Sequence, residues 1–224
     1  MITASPQSGP RAQHLRTVKR TWAKPVHPEY FIVDGDRHVI EPPAAFTEFL
    51  EPRYRTSAFQ VGRDNVTGAT RFMLEGRLYQ KPAGHGQGRP DGMSAYRPRG
   101  ERLDYEETYR WVCGEGKRKD MDEAGIDMAT WIPTGGLFIP DILDLELQGA
   151  YARALNTWFA ERFCAECPER LSFAAAIPQD VEAACAEVRR AATELGARAV
   201  WMRPNVYHGR YWWDRRFDPL WATM

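Results

Sequence analysis

Four short apolar segments, separated by helical or loop-rich sequence, set the strongest limit on what this chain can become. They are YFIVDGD (30–36), DMATWIP (127–133), LSFAAAIP (171–178) and ARAVWMRP (197–204). Between the second and third, Leu147, Tyr151, Leu155, Trp158 and Phe159 recur every three to four residues, the spacing of an amphipathic helix. Between the third and fourth, Val181 to Leu195 is alanine-rich, with Val188 and Leu195 one heptad apart, and Gly196 supplies the stop. Strands alternating with helices predict parallel pairing, right-handed crossovers and an α/β fold.

The spacing of these units is uneven. The two later connections each fit one strand–helix unit, whereas the gap between the first and second strands is far too long for one. Inside that gap lies KPAGHGQGRPDGMSAYRPRG, residues 81–100, crowded with Gly, Pro and Arg. It reads as an inserted loop over the end of the first strand, either a lid or substrate loop or a loop without function. GHGQG within it is not GxGxxG, follows no strand and opens no helix, so a dinucleotide site is excluded there. None of the four strands is followed by a glycine-rich turn, which also argues against a doubly wound nucleotide-binding domain. At the far end, RRFDPLWATM offers Asp218 as a helix N-cap and Pro219 as the first helical residue, and the chain then stops at Met224.

Composition narrows the partners. With 43% hydrophobic and 12% aromatic residues, the chain can bury a real core as a single main domain. A formal net charge of zero gives no field that would gather nucleic acid or an anionic membrane. No apolar run reaches transmembrane length, so the chain reads as soluble. The four cysteines, Cys113, Cys164, Cys167 and Cys185, are too few for a disulfide scaffold. Cys164 and Cys167 form a CxxC with no second pair to complete a zinc site, and reduced thiols in the cytoplasm are expected. Residues 1–29 are basic and almost free of acids, and they read as a flexible tail; residues 30–224 carry the fold.

The chemistry gathers in FIVDGDRHVIEPP, residues 31–43. Residues two apart on a strand share a face, so Asp34, Asp36 and His38 are expected to project together near the strand's C-terminal end. Burying such groups unpaired is costly, and a divalent cation removes the penalty, since carboxylate oxygen and imidazole nitrogen both ligate Zn²⁺, Mn²⁺ or Fe²⁺. From spacing alone, a strand tip that has simply reached solvent is the slightly preferred reading, because DxDxH is a short pattern.

IVDGDRHVIEPPAAFTEFLEPRYR resembles the opening of the amidohydrolase-related family, the metal-dependent branch that includes enzymes like aminocarboxymuconate-semialdehyde decarboxylase. The similarity continues through RKDMDEAGIDMATWIPT (118–134), ALNTWFAERFCAECPERLSFAAAIP (154–178) and LGARAVWMRPNVYHGRYWWDRRFDPLW (195–221). This resemblance implies a partial (β/α)8 TIM barrel, about its first four strand–helix units, with a long insertion after strand 1. It implies one divalent metal, zinc first with manganese or iron as alternatives, held by Asp36 and His38. The remaining ligands and the catalytic histidine would come from later strands that this sequence does not contain, which suggests a fragment. The implied reaction is hydrolysis or non-oxidative decarboxylation of a small carboxylate-bearing or aromatic substrate.

Around that core stand several candidates with open alternatives. Glu41 is either a carboxylate that orients His38 or a first-turn acid of the helix after it. Asp34 either supports the metal site or holds Arg37 or a loop. Arg89, Arg97 and Arg99 would grip a substrate carboxylate or simply lie in solvent. Trp201, Trp212 and Trp213 would line an aromatic pocket or belong to the core. His208 follows the fourth strand and matches none of the implied ligands. The competing function is a non-catalytic half-barrel that associates with itself, or with a missing C-terminal half, through its open sheet edges.

Overall fold

The computed structural model describes residues 30–39, 41–57, 60–63, 70–79 and 113–224. The basic tail and the 81–100 loop with Arg89, Arg97 and Arg99 lie outside these residues. Four strands form the main sheet: β1 (Val33–Val39), β5 (Met128–Pro133), β6 (Leu171–Ala176) and β7 (Ala199–Trp201), in that spatial order and all parallel. Each strand lies beside the one before it in the sheet, the arrangement of half a barrel. The expected strands are all present, though β1 starts and ends about three residues later than the sequence suggested, and β7 keeps only three of eight residues.

Helix α2 (Leu145–Trp158) follows β5, and α3 (Val181–Arg190) follows β6. Their starts are set by carboxylate caps: Asp144 accepts from the N–H of Glu146 and Leu147, and Asp180 from the N–H of Ala183. Both helices widen into a π turn, at Phe159–Phe163 and at Ala191–Leu195. The first of these aims two aromatics at the sheet. Phe159 stacks on Phe173 with centroids 5.4 Å apart, and Phe163 meets Trp131 edge-on at 5.5 Å. Gly196, in the left-handed region at φ 75°, ends the second.

Side chains alternate across the sheet accordingly. Ala129, Trp131 and Pro133 of β5 are buried against the helices, while Met128, Thr130 and Ile132 on the opposite face are only partly covered. Two buried polar side chains on the helix side join elements. The Arg170 guanidinium, 1% exposed, donates to the carbonyls of Ile126 and Asp127 and to Asp122 at 2.6 Å. The Asn156 amide donates to the Ala176 carbonyl and the Glu187 carboxylate and accepts from the Ala176 N–H, which fastens α2 to the end of β6. A smaller cluster of Ile177, Val188, Trp212, Phe217 and Leu220 packs α3 against α4 (Asp218–Thr223).

The long gap after β1 holds structure that the sequence reading missed. β2 (Gln60–Arg63), β3 (Thr70–Leu74) and β4 (Arg77–Tyr79) form a separate antiparallel sheet. Glu75 and Gly76, with φ of 52° and 69°, make the two-residue turn between β3 and β4. The Glu75 carboxylate accepts from the N–H of Leu143 and Asp144, pinning this sheet to the loop that leads into α2. Helix α1 (Gly114–Ala124) then returns the chain to β5, capped by the Cys113 thiol and closed by Gly125 at φ 70°.

The C-terminal expectation needs a correction. Asp218 is the first residue of α4, not its cap, because a 3-10 turn (Arg215–Phe217) runs straight into the helix. The capping aspartate is Asp214, four residues earlier, which accepts from the Arg216 N–H.

Candidate metal site at the end of the first strand

The expected common face for Asp34, Asp36 and His38 is broken by a bulge. Asp34 pairs with Ala129 and Arg37 with Trp131, so three residues of β1 span two of β5. One extra residue reverses the alternation. Asp34 therefore sides with Arg37, whose Nε donates to it at 2.7 Å, and it also accepts from the Asp36 N–H. Arg37 in turn lies over the Trp131 ring, 5.5 Å from its centroid, on the helix side. Asp34 is thus engaged with its neighbours, while Asp36 and His38 remain together.

On the open face, the His38 Nε2 and an Asp36 oxygen stand 3.6 Å apart, and both side chains are more than half exposed. The other ring nitrogen, Nδ1, meets the Thr134 hydroxyl at 2.9 Å. With Nδ1–H donating to Thr134, the Nε2 lone pair faces the carboxylate. Nothing in that geometry is an ordinary N–H···O bond, which closes to about 2.7–3.2 Å. An ion with bonds of about 2.0–2.2 Å brings its oxygen and nitrogen ligands to about 3 Å, a small rotation of the free Asp36 side chain away. The pair therefore fits a divalent cation. Among the described residues no group of three or more His, Cys, Asp or Glu side chains stands ready to hold an ion.

Glu41 is placed where neither sequence alternative put it. Its two long-range bonds run neither to His38 nor to the short helix that follows it. Its carboxylate is buried and accepts from the Gly135 N–H at 2.6 Å and the Gly136 N–H at 3.4 Å, across 94 and 95 residues of sequence. It caps the 3-10 helix Gly135–Asp141 that leaves β5, so helix-terminal electrostatics is the right principle applied to the wrong helix. Burial raises the Glu41 pKa to about 7 against the lowering pull of those N–H groups. The group that orients His38 is Thr134, which the sequence reading did not single out. Its only signal was the Thr-Gly-Gly run at the end of an apolar strand, where two glycines announce a close backbone approach.

No significant match is found among curated protein sequences. Residues 114–224 match the sequence profile of the amidohydrolase family. That half of the chain belongs to the amidohydrolase family. Solved structures extend the likeness. The crystal structure of an amidohydrolase from Mycobacterium avium subsp. paratuberculosis K-10 superposes with a TM-score of 0.65 at 25% identity, over 88% of this chain and 55% of that one. A 5-carboxyvanillate decarboxylase from Novosphingobium aromaticivorans, with bound manganese and 3-methoxy-4-hydroxy-5-nitrobenzoic acid, gives 0.54 at 21% identity over 90% and 50%. Metarhizium anisopliae IDCase gives 0.53 at 20% identity over 87% and 48%. The chain spans about half the length of these structures, and its four parallel strands are half of a TIM barrel.

The remaining candidates in this amidohydrolase half-barrel separate cleanly. Trp212 is core, its indole N–H donating to the Arg203 carbonyl, while Trp213 is 71% exposed and Trp201 partly covered, so the three line no common pocket. His208 is exposed in a turn at φ 51°. All four cysteines are free, and Cys167, whose thiol donates to Glu169, has its pKa pushed up to about 12, chiefly by burial. That thiol is unsuited to a redox or zinc-thiolate role. No helix among the described residues is long and apolar enough to cross a membrane.

Proposed function

We propose that this chain supplies the first-strand ligands, Asp36 and His38, of a divalent-metal enzyme. The reaction is hydrolysis or non-oxidative decarboxylation of a small substrate bearing a carboxylate or an aromatic ring. The observation that carries this reading is the convergence of the Asp36 carboxylate and the His38 Nε2 on the open face, with Nδ1 already anchored by Thr134. Parallel α/β sheets gather their chemistry at the C-terminal ends of strands, and this pair lies in the last four residues of β1.

When bound, the ion would supply either a water acidified enough to attack at neutral pH or a positive charge that stabilises carboxylate and phenolate groups during decarboxylation. The chain's own residues provide the holding. Thr134 holds the His38 ring through Nδ1, and an Nδ1–H donated to its hydroxyl would leave Nε2 free to ligate. Asp36, exposed and flexible, closes on the same point. Further ligands and the acid–base group come from outside this pair. Zinc suits a carboxylate and an imidazole, and manganese, the ion held in the 5-carboxyvanillate decarboxylase structure, is the competing choice. The free thiols suit a reducing compartment such as the cytoplasm.

Calorimetric titration of the dialysed chain with Zn²⁺ and with Mn²⁺ tests the reading. Weak binding is expected, because two ligands are fewer than the roughly three that catalytic sites use. Asp36→Asn and His38→Ala should each abolish it. In a complete enzyme the same changes should remove most activity. Binding that survives both variants would refute the assignment.

A second reading, association through the sheet, is favoured by one observation: among the described residues β1 and β7 each pair on one side only. Either a second copy or the remaining half of the barrel would cover those edges. Light scattering across a concentration series separates a self-associating chain from a monomer awaiting its other half.

A further inference from the structure

Glu41 remains without a role in the site as described, although it is a buried carboxylate spent wholly on backbone groups of another strand's loop. Three bonds sew that loop to the end of β1. The Thr134 N–H donates to the Val39 carbonyl at 3.2 Å, and the N–H groups of Gly135 and Gly136 donate to the two Glu41 oxygens. Between these bonds sits the Thr134 side chain on His38. The approach is possible only because both glycines lack a side chain. A Cβ on Gly135 would stand 2.9 Å from the Glu41 Oε2 and 2.9 Å from the Phe46 ring, and one on Gly136 would stand 2.9 Å from Leu155.

We infer that Glu41 is a positioning residue: it latches the Thr134–Gly136 turn onto β1 so that the Thr134 hydroxyl meets His38 Nδ1 and leaves Nε2 facing Asp36. The consequence for metal binding rests on the function proposed above, but the latch itself does not, because it is a property of the metal-free chain. Two carboxylate oxygens matter here. A single acceptor would leave one of two adjacent N–H groups buried without a partner and the turn free to rotate. Gly135 and Gly136 follow Thr134 at once and permit a wide range of backbone angles, so the Glu41 bonds add to the Thr134–Val39 bond in setting the hydroxyl's direction.

The experiment reads the His38 tautomer directly, by long-range proton–nitrogen NMR of the metal-free, ¹⁵N-histidine-labelled chain at a pH where imidazole is neutral. His38→Ala assigns the signal among the five histidines. The wild type should show Nδ1–H at His38. Glu41→Ala should move His38 toward Nε2–H, the form free imidazole prefers, and Thr134→Val should do the same. The Glu41→Ala,Thr134→Val double variant should add nothing to either single change. Gly135→Ala, which pushes on the Glu41 oxygen, should reproduce the shift with the carboxylate still present. If Glu41→Ala fails to fold, Glu41→Gln, which keeps one acceptor, should move the signal part of the way. Mn²⁺ binding should weaken by about tenfold in Glu41→Ala. An unchanged Nδ1–H signal in a folded Glu41→Ala or Glu41→Gln chain would overturn the inference, as would an Nε2–H wild type. A wild type that ignores Mn²⁺ but shows the tautomer shift would refute the metal reading and uphold the latch.

Discussion

The two faces of the main sheet are made from the same strands and obey opposite rules. Toward the helices, Ala129, Trp131 and Phe173 are at most 2% exposed, and the buried Arg170 and Asn156 side chains are bonded across elements. Toward the open side, Thr130, Ile132, His38 and Trp201 from the same strands remain partly or largely in solvent. One face holds the chain together, and the other holds groups that stability alone does not require. On the function proposed above, the exposed Asp36–His38 pair would carry the chemistry with the buried Glu41 behind it, while the open-face residues of β6, Ser172, Ala174 and Ala176, are themselves buried.

That contrast can be broken from either side. The largest effect should come from Arg170→Ala, which strips two carbonyls of their partner and leaves Asp122 with Arg118 alone. A loss of about 3–5 kcal/mol in denaturant unfolding is expected. A loss below about 1 kcal/mol would mean that the helix-side face is not the stabilising one.

Glu41 should come next, through pH. Its carboxyl ordinarily ionises near 4.5 but titrates at about 7 in the fold, because burial disfavours the charge. Below 4.5 the group is protonated in both folded and unfolded chains and costs nothing. Between 4.5 and 7 the unfolded chain ionises first, so stability falls as pH rises, and the full cost stands above 7. The expected loss is on the order of 2–3 kcal/mol. Glu41→Gln should flatten this slope in thermal unfolding followed across the same range. An identical slope in wild type and variant would show that the carboxylate is stabilised at its place rather than strained by it.

The smallest effect on stability should belong to the residue with the largest effect on function. His38→Ala is expected to change unfolding free energy by no more than about 0.5 kcal/mol, since the ring is largely exposed. The same variant should lose Zn²⁺ and Mn²⁺ binding. A substantial destabilisation would move His38 from the chemical face to the structural one.

How much of this was legible in sequence depends on the reach of each interaction. β5 and β6 were clear because their apolar runs are packed by helices whose own periodicity lies next to them in the chain. The nearness of a carboxylate and an imidazole on the first strand was legible for the same reason: Asp36 and His38 are two residues apart. The face of Asp34 was misjudged because a bulge inserts one residue, and its placement depends on the register with β5, some 95 residues away. Glu41 was recognised as a carboxylate with a job, but its partners are 94 and 95 positions distant, and only the fold reveals them. The β2–β4 sheet escaped notice because its short strands carry mixed polar and apolar residues without clean alternation.

Paramagnetic broadening by Mn²⁺ tests the whole account most directly, because it registers even weak and transient binding. Substoichiometric Mn²⁺ added to the labelled chain should erase the His38 ring signals and the Asp36 amide first. Thr134 and Gly135 should follow, and Phe173 and Arg170 on the helix side should keep sharp signals. Both effects should vanish in His38→Ala. Broadening centred anywhere else, or a pattern in His38→Ala that matches the wild type, would contradict the claim that these two side chains form half of a metal site.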